Sequence, residues 1–375
     1  MGVLSTSEPK PGEQLRRIER PSSALSARGP FPLDQIRNIL VIKLRYIGDT
    51  VLITPVLESL RGALPDSSIT AVVAKGTEPV LENHPAIDDV LPIDRTAPVF
   101  KYVNDLRSIR LKQADLAIDL TGADRSGFLA RWSGAPIRMG YRGRNRLRNR
   151  LFYNVLIDAD DGRLHRIDHH LVMIDAMGIP IATRSPRLVL SDDELCGATD
   201  LLRRNGLDST DPYIVLHPGA RRWYKCWPLD NFSRLADRIV RELRIPVILA
   251  GGETDRVAVE TIERGMEATC LNLASRLNLR ELSAVLKLAA ICVVNDSSPM
   301  HLAAAVGTPT VSLFGLTDPN LWAPRGPNHL VISRDCPCRP YGHRRECPEG
   351  DNRCMAKISV TEVFNTICTL LPDPT

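Results

Sequence analysis

The stretch Asn295-Asp296-Ser297-Ser298-Pro299-Met300-His301 lies between an apolar, strand-like run at 291–294 and a helix-like run at 302–306. Proline at the first helical position needs no backbone donor, and a serine just before it can act as a cap. The stretch therefore predicts a strand-to-helix turn whose unpaired N–H groups attract phosphate. An ordinary capped turn is the alternative that this stretch alone leaves open.

Short apolar runs, typical of strands covered on both faces, recur along the whole chain. They lie at 39–43, 69–73, 90–93 and 116–120, and then at 213–216, 246–250, 291–294 and 310–314. Amphipathic stretches separate them, and this alternation predicts an α/β protein with doubly wound parallel sheets. A chain of 375 residues with 43% hydrophobic content is long enough for two cores.

The positions of these runs and of the helix-start signals also predict the order of the domains. Residues 1–34 lack periodicity and are interpreted as an irregular extension, followed by a first domain at 35–190. A serine followed by three acidic residues at 191–194 predicts the start of a helix and of a second domain at 191–358. A last helix is predicted within 359–375, beginning at the serine cap Ser359.

Several classes of protein are disfavoured by what the sequence lacks. No Gly-x-Gly-x-x-Gly follows any of these runs, and no P-loop motif occurs, which argues against dinucleotide oxidoreductases and P-loop enzymes. No uncharged apolar stretch approaches the ~18–20 residues of a spanning helix, and the beginning of the chain has no secretory signal. A soluble, cytoplasmic protein is expected.

The charge is concentrated in one segment. The net charge is only +4, but residues 138–150 hold six arginines and no acidic residue. Such a segment indicates an anionic partner, either a phosphorylated lipid, a nucleotide or a nucleic acid, with a solvated arginine-rich loop as the plain alternative. Tyr141 is the one aromatic residue there, which argues against stacking of single-stranded nucleic acid.

Two further motifs follow predicted strands. Arg45-Tyr46-Ile47-Gly48-Asp49 follows the first strand, and His217-Pro218-Gly219-Ala220 follows a later one, with Lys225 and Trp227-Pro228 just beyond it. Together with the turn at 295–301, these motifs resemble glycosyltransferase family 9, the ADP-heptose:lipopolysaccharide heptosyltransferases, over residues 36–371. The resemblance implies a GT-B fold, in which two Rossmann-like domains face each other across a cleft and the last helix returns to the first domain.

The resemblance also implies roles for individual residues. Asp49 matches the proposed catalytic base of the family, although an aspartate that opens a helix is often only a cap. Lys225 matches a lysine that contacts phosphate, with a solvent-facing lysine as the alternative, and Gly219 lies in the same donor-binding loop. Glu253 matches an acid that bonds to the ribose of the donor.

The turn at 295–301 carries the remaining donor contacts that the resemblance implies. Asp296 matches an acid that contacts the donor sugar or orders the phosphate loop. Ser297 and Ser298 offer hydroxyl and backbone donors to the diphosphate, and Met300 and His301 complete the turn. His301 is expected either to donate to phosphate or to be a buried, structurally bonded histidine. No metal ion is required for catalysis, as in the family.

Four of the nine cysteines form a cluster near the carboxyl end. They are Cys336, Cys338, Cys347 and Cys354, a set that suits a tetrahedral structural zinc or iron ion. Reduced thiols and disulfides are the alternatives, and an intracellular protein favours thiols or metal over disulfides.

The expected activity is the inverting transfer of heptose from ADP-heptose to the inner core of lipopolysaccharide at the cytoplasmic face of the inner membrane. Arg142 and Arg144 are predicted to bind the anionic acceptor, because arginine suits carboxylate and phosphate groups. Peripheral membrane contact is expected and nucleic acid is not. The alternatives are a GT-B enzyme with a different nucleotide-sugar donor, and a non-catalytic nucleotide or nucleic-acid binder.

Overall fold

The computed structural model describes residues 31–94, 102–143, 146–160, 162–208, 211–334 and 353–371 and contains two six-stranded sheets. The strands of the first sheet are β1 (Asn38–Lys43), β2 (Ser68–Ala74), β3 (Asp89–Ile93), β4 (Leu116–Asp119), β5 (Ile137–Tyr141) and β6 (Val155–Ile157). Those of the second are β7 (Ile214–His217), β8 (Val247–Leu249), β9 (Leu271–Asn272), β10 (Ile291–Asn295), β11 (Thr310–Phe314) and β12 (His329–Ser333).

Helices connect the strands of each sheet. In the first domain they are α1 (Ile47–Val51), α2 (Thr54–Ala63), α3 (Tyr102–Leu111), α4 (Asp124–Trp132), α5 (Arg146–Phe152) and α6 (Arg166–Ala176). The later helices are α7 (Asp192–Arg204), α8 (Leu229–Arg238), α9 (Arg256–Gly265), α10 (Leu279–Leu288), α11 (Ser298–Ala305), α12 (Pro319–Trp322), α13 (Arg353–Ala356) and α14 (Val360–Leu370). A further π-helical turn extends α8 at Ile239–Leu243.

Both sheets are parallel throughout and doubly wound. Their strand orders are β3-β2-β1-β4-β5-β6 and β12-β11-β10-β7-β8-β9. The strand order therefore reverses beside β1 in the first sheet and beside β7 and β10 in the second. Ligands of open α/β sheets bind at the carboxyl ends of strands next to such a reversal. This topology places the three motifs of the sequence at the two reversal points.

Alternation along the strands builds a separate core on each face of the first sheet. Ile39 and Val41 of β1 share a core with residues of α2 and α6, whereas Leu40 and Ile42 share one with residues of α3 and α4. Successive side chains of a strand point to opposite faces, so a continuous apolar run is needed where helices cover both. The helices α3, α4 and α5 consequently form one outer layer of the first domain.

Arg280 of α10 joins the two domains near the segment in which the chain passes from the first domain to the second. Its guanidinium forms an ion pair with Glu194 at 2.6 Å and donates to the carbonyl oxygens of Val189 and Pro79. The hydrogen bonds from Arg280 lower the pKa of Glu194 to about 2. A bidentate guanidinium that is also bonded to backbone holds a fixed geometry. The domains are thus tied together at a point that does not belong to either sheet.

Serine residues begin α7 and α14, as the sequence predicts. Ser191 accepts from the backbone N–H of Glu194 in a reciprocal capping box, and Ser359 caps α14, so both predicted helix starts are confirmed. The prediction that the last helix returns to the first domain differs from the observed packing. The apolar face of α14 packs against α8 and β11 of the second domain, because its buried residues complete the core there: Val363, Phe364 and Ile367.

Candidate active site

A cleft of about 610 Å³ lies between the carboxyl ends of the two sheets. The turn of 46–49 after β1 forms its first-domain wall. Two glycine-containing loops after β7 and β8, the first turn of α10 and the amino end of α11 form the rest. The cleft is large enough for a ligand of nucleotide size, since pockets for such ligands run from about 300 to 1,000 Å³.

Asp49 lies in the first turn of α1 and faces this cleft. Its Oδ1 is 3.2 Å from Nζ of Lys43, the buried last residue of β1. Burial lowers the pKa of Lys43, and the Asp49 carboxylate opposes that shift. A charged pair at the end of an apolar strand fixes the direction of the carboxylate, because the lysine has no route to solvent.

Lys43 is itself held in place by the interior of the first domain. Its Nζ lies 3.1 Å from the carbonyl oxygen of Leu120 and 3.1 Å from Nε2 of His170. Because lysine only donates, Nε2 of His170 accepts, and its Nδ1–H donates to the hydroxyl of Tyr141 at 2.8 Å. Burial and the neighbouring Lys43 hold the pKa of His170 well below its ordinary value, which keeps the imidazole neutral for this role.

The opposite wall of the cleft has the features of an anion site. Ser297 and Ser298 line it at the amino end of α11, and neither side chain caps the helix; Ser297 Oγ donates to the carbonyl oxygen of Asn295. Lys225 also lines the cleft, and its Nζ is 2.6 Å from Oδ2 of Asp296. A helix end without a side-chain cap, beside a lysine, stabilises negative charge.

The two walls meet where α1 packs against α11. A Cβ atom added to Gly48 would lie 2.6 Å from Cδ2 of His301, so the glycine allows this close approach. Burial lowers the pKa of His301 to about 4, while Asp296 and Asp49 both act to raise it. His301 is therefore a neutral imidazole that lies between the carboxylates of the two domains.

A third side of the cleft consists of glycine turns packed on one carboxylate. Asp255 accepts from the backbone N–H of Gly252 at 3.0 Å, and a side chain at Gly219 would overlap its carboxylate. His217 Nε2 lies 3.9 Å from the same group, and burial lowers the pKa of His217. The glycines therefore make room for the Asp255 carboxylate, which is a hydrogen-bond acceptor at the wall of the cleft.

The family model for glycosyltransferase family 9 (heptosyltransferase) matches residues 105–351, which is more than half of the chain. The chain belongs to glycosyltransferase family 9. It is therefore a glycosyltransferase, and the parallel sheets and facing domains confirm the predicted GT-B architecture.

Relatives and solved structures agree with this family 9 assignment. Lipopolysaccharide heptosyltransferase 3 of Escherichia coli strain K12 is 29% identical over 292 residues, which cover 75% of this chain and 83% of that protein. A family 9 glycosyl transferase from Veillonella parvula has a TM-score of 0.80 and 26% identity, covering 91% of this chain and 98% of that chain. The ADP-heptose lipopolysaccharide heptosyltransferase II of Escherichia coli shares the fold, with a TM-score of 0.74, 23% identity and 89% and 98% coverage.

The structure brings most of the predicted site residues of this family 9 enzyme to one cleft. Those that line it are Asp49, Gly219, Lys225, Asp296, Ser297, Ser298 and His301. Met300 instead lies in the hydrophobic core with no exposed surface. Glu253 is exposed beyond the cleft wall and pairs with Arg256 at 3.5 Å. Two positions from each of them lies a residue that does line the cleft, which is Ser298 for Met300 and Asp255 for Glu253.

The predicted acceptor and metal residues are described only in part. Arg142 is exposed and pairs with Asp158 at 2.6 Å, whereas Arg144 lies outside the described residues. Of the cysteine cluster only Cys354 is described, and it is half-buried; Cys336, Cys338 and Cys347 lie outside. Across the described ranges, no group of three or more His, Cys, Asp or Glu side chains is arranged to hold a metal ion. In those same ranges, no helix is both long and apolar enough to cross a membrane.

Several cleft residues were not anticipated from the sequence. Arg221 lies over the ring of Tyr46, 3.8 Å from its centroid, and this cation–π contact joins the domains across the cleft. The sequence motifs also do not identify Asp255, which lines the cleft, or Lys43, which is buried behind Asp49. A lysine that ends an otherwise apolar strand is a signal that could have identified Lys43, because an unpaired ammonium is not buried.

The Lys43 network leads to a prediction about Asp49. Lys43→Met keeps the volume of the side chain but removes the ion pair, so the Asp49 carboxylate loses its fixed direction. We expect kcat to fall about 10- to 100-fold, as for a misplaced catalytic group, with little change in ADP affinity. Steady-state kinetics and calorimetry with ADP would measure both quantities. An unchanged kcat in a folded Lys43→Met variant would show that the network has no role in positioning Asp49.

Proposed function

We propose that this chain transfers heptose from ADP-heptose to the inner core of lipopolysaccharide with inversion at the anomeric carbon, using Asp49 as the general base. The named relatives support the donor and acceptor class. The observation that carries the mechanism is the contact between Gly48 and His301, which holds the Asp49 turn against the amino end of α11. As a result, the Asp49 carboxylate of the first domain and the anion site of the second domain line the same cleft.

In the proposed reaction, an acceptor hydroxyl attacks the anomeric carbon from the face opposite the diphosphate. Asp49 takes the hydroxyl proton as the new C–O bond forms. The bond between the anomeric carbon and the phosphate oxygen breaks, and its electron pair leaves with ADP. Because attack and departure occur on opposite faces in one displacement, the configuration inverts.

The departing diphosphate gains negative charge, and the donor wall is suited to stabilise it. Lys225 provides a compact cation, and the amino end of α11, which lines the cleft, provides the positive end of a helix dipole. Asp296 pairs with Lys225 at 2.6 Å. On binding, we infer that the ammonium is shared between Asp296 and the diphosphate.

We infer that the nucleoside of the donor lies between the Gly251-Gly252 turn and the first turn of α10, both of which line the cleft. Asp255 is the acid nearest to this space. Glu253, with a side chain 73% exposed, would have to leave Arg256 to reach a ribose hydroxyl. We keep it as a proposed ribose ligand, because an exposed ion pair of this kind is worth only about 0–1 kcal/mol.

The acceptor is proposed to enter from the first domain. Arg142 directly follows β5, so it lies at the same edge of the sheet as Asp49, and it would exchange Asp158 for an acceptor carboxylate or phosphate. The inner core is attached to a lipid, so the reaction is proposed to take place at a membrane surface. Arg142→Glu is a suitable probe of this assignment, read as a rise in the acceptor KM.

The deciding experiment offers the purified protein a panel of nucleotide-sugars together with a Kdo-bearing lipid A saccharide, in the presence of a metal chelator. We expect transfer with ADP-heptose and a product whose anomeric configuration, read by NMR coupling constants, is opposite to that of the donor. Retention of configuration would contradict the single displacement. Preferred turnover with a uridine or guanosine donor would replace the proposed donor while keeping the site.

A further inference from the structure

The outer surface of α3, α4 and α5, here called the outer helical face, is unusual in its exposed apolar side chains. Nine large hydrophobic residues are exposed in the described part of the chain, and five of them lie on this face: Val103, Leu111, Phe128, Trp132 and Leu151. Leu111 and Leu151 are 70% and 64% exposed. Single exposed apolar residues are ordinary, but a concentration on adjacent helices indicates an interaction surface.

These three helices form one continuous layer. Phe128 and Trp132 stack one turn apart on α4, with ring centroids 6.0 Å apart. Trp132 donates its indole N–H to the carbonyl oxygen of Leu106 on α3, at 3.0 Å. On the other side, Gly127 packs directly against the ring of Phe152 of α5. The aromatic pair therefore has a fixed position in the middle of the face.

The same face is strongly basic. Five exposed arginines lie among its described side chains, against two aspartates, Asp105 and Asp124; the arginines are Arg107, Arg110, Arg125, Arg131 and Arg150. Helices that lie in a membrane interface combine such arginines with leucine, phenylalanine and tryptophan. The arginines are attracted to anionic headgroups while the apolar side chains enter the boundary of the acyl region.

We propose that the outer helical face docks on an anionic phospholipid surface. A second copy of the chain fits it poorly, because a two-fold contact would set this basic surface against itself. The proposal rests on the proposed function and adds the orientation of the enzyme on the bilayer. The helix α4 has nine residues and is about 13 Å long. It begins at the carboxyl end of β4, the same edge of the sheet that carries Asp49.

The test is flotation of the full chain with vesicles that contain phosphatidylglycerol, compared with vesicles of phosphatidylcholine alone. We expect binding to the first, loss at high salt, and little binding to the second. For one variant, Arg107→Glu with Arg131→Glu, the affinity for phosphatidylglycerol vesicles is expected to fall at least about tenfold. A second, Leu111→Ser with Phe128→Ser, removes apolar contacts and is expected to have a similar defect.

The matched control makes the same kinds of change on α9 of the second domain, as Val257→Ser with Arg264→Glu, both of which are exposed. It should bind vesicles like the unmodified chain. Circular dichroism and thermal unfolding establish that all three variants are folded. Vesicle binding that is absent in the unmodified chain, or equal in the outer-face variants and the control, would overturn the proposal. So would a concentration-dependent dimer that only the outer-face variants lose.

The readouts also separate this proposal from the proposed function. The outer-face variants should transfer heptose to a water-soluble acceptor saccharide at the normal rate and should fail only with acceptor embedded in vesicles. Vesicle binding without any heptose transfer would refute the function and leave the docking surface standing. Heptose transfer to both acceptors, unaffected by the outer-face substitutions, would refute the docking surface alone.

Discussion

The substitution Asp49→Asn is expected to lower kcat about 10³-fold, the upper part of the range for loss of a general base. An amide keeps the shape of the side chain and can still accept a hydrogen bond from Lys43, but it cannot take the proton of the acceptor hydroxyl. Because Asp49 lies on the wall opposite Lys225 and α11, affinity for ADP should change by no more than about twofold. Initial rates of heptose transfer and calorimetry with ADP measure the two effects.

The control for this result is Asp66→Asn, which neutralises an exposed aspartate of the loop between α2 and β2. It should leave both quantities unchanged. Combining Lys43→Met with Asp49→Asn adds a stricter check: if Lys43 acts only by positioning Asp49, its replacement has no further effect on kcat once the carboxylate is gone. A variant Asp49→Asn that kept more than about a tenth of the normal kcat would exclude Asp49 as the base.

The second large effect is expected at Lys225. Lys225→Ala removes the cation from the anion site, and a hydrogen bond to a charged group is worth about 1.5–3 kcal/mol, so the Kd for ADP should rise about 10- to 150-fold. Lys225→Arg should restore only part of the affinity, because a planar guanidinium does not replace a compact ammonium at one position. Lys357→Ala, at an exposed lysine between α13 and α14, is the control.

The partner of Lys225 should respond in the opposite direction. Asp296→Asn removes a negative charge at 2.6 Å from the ammonium and leaves it available to the diphosphate. ADP should therefore bind as tightly as before or more tightly, while heptose transfer slows because the sugar or the phosphate loop is less well ordered. If Lys225→Ala bound ADP normally, or if Asp296→Asn weakened it as much as Lys225→Ala, the proposed division of roles would be wrong.

Much of the fold could be predicted because buried parallel strands are nearly continuous apolar runs. Eight such runs were recognised, and each corresponds to a strand of the structure. The apolar runs do not predict four strands: β5, β6, β9 and β12. Ile137–Tyr141 includes an arginine and a glycine, and Val155–Ile157 and Leu271–Asn272 have only three and two residues. All four strands lie at or next to an edge of their sheet, where burial is less complete and the apolar signal is weaker.

Side-chain direction is what the sequence could not supply within the site. Ser298 and His301 are three residues apart on α11 and share the face that lines the cleft, whereas Met300 is two residues from Ser298 and points into the core. The short helical turn Glu253–Asp255 shows the same effect, because two residues of advance in so tight a turn reverse the direction of a side chain. Asp255 is therefore the acidic residue of this turn that lines the cleft, and Glu253 is not.

Long-range partners were equally beyond the sequence. Lys43 and His170 are separated by 127 positions and meet only because β1 and α6 pack together. The apolar pattern of α14 likewise does not say which domain the helix covers. It packs on the second domain because its apolar side chains complete the core there. Local motifs therefore located the cleft, while the interactions that orient its groups required the tertiary structure.

The closeness of Gly48 to His301 has an evolutionary consequence. The glycine of the Gly48-Asp49 turn is required by an imidazole that belongs to the other half of the chain, 253 positions away, because any Cβ at position 48 would lie 2.6 Å from that ring. The two positions should therefore co-vary among related sequences. A lineage that acquires a larger residue at 48 must first have accepted a smaller one at 301.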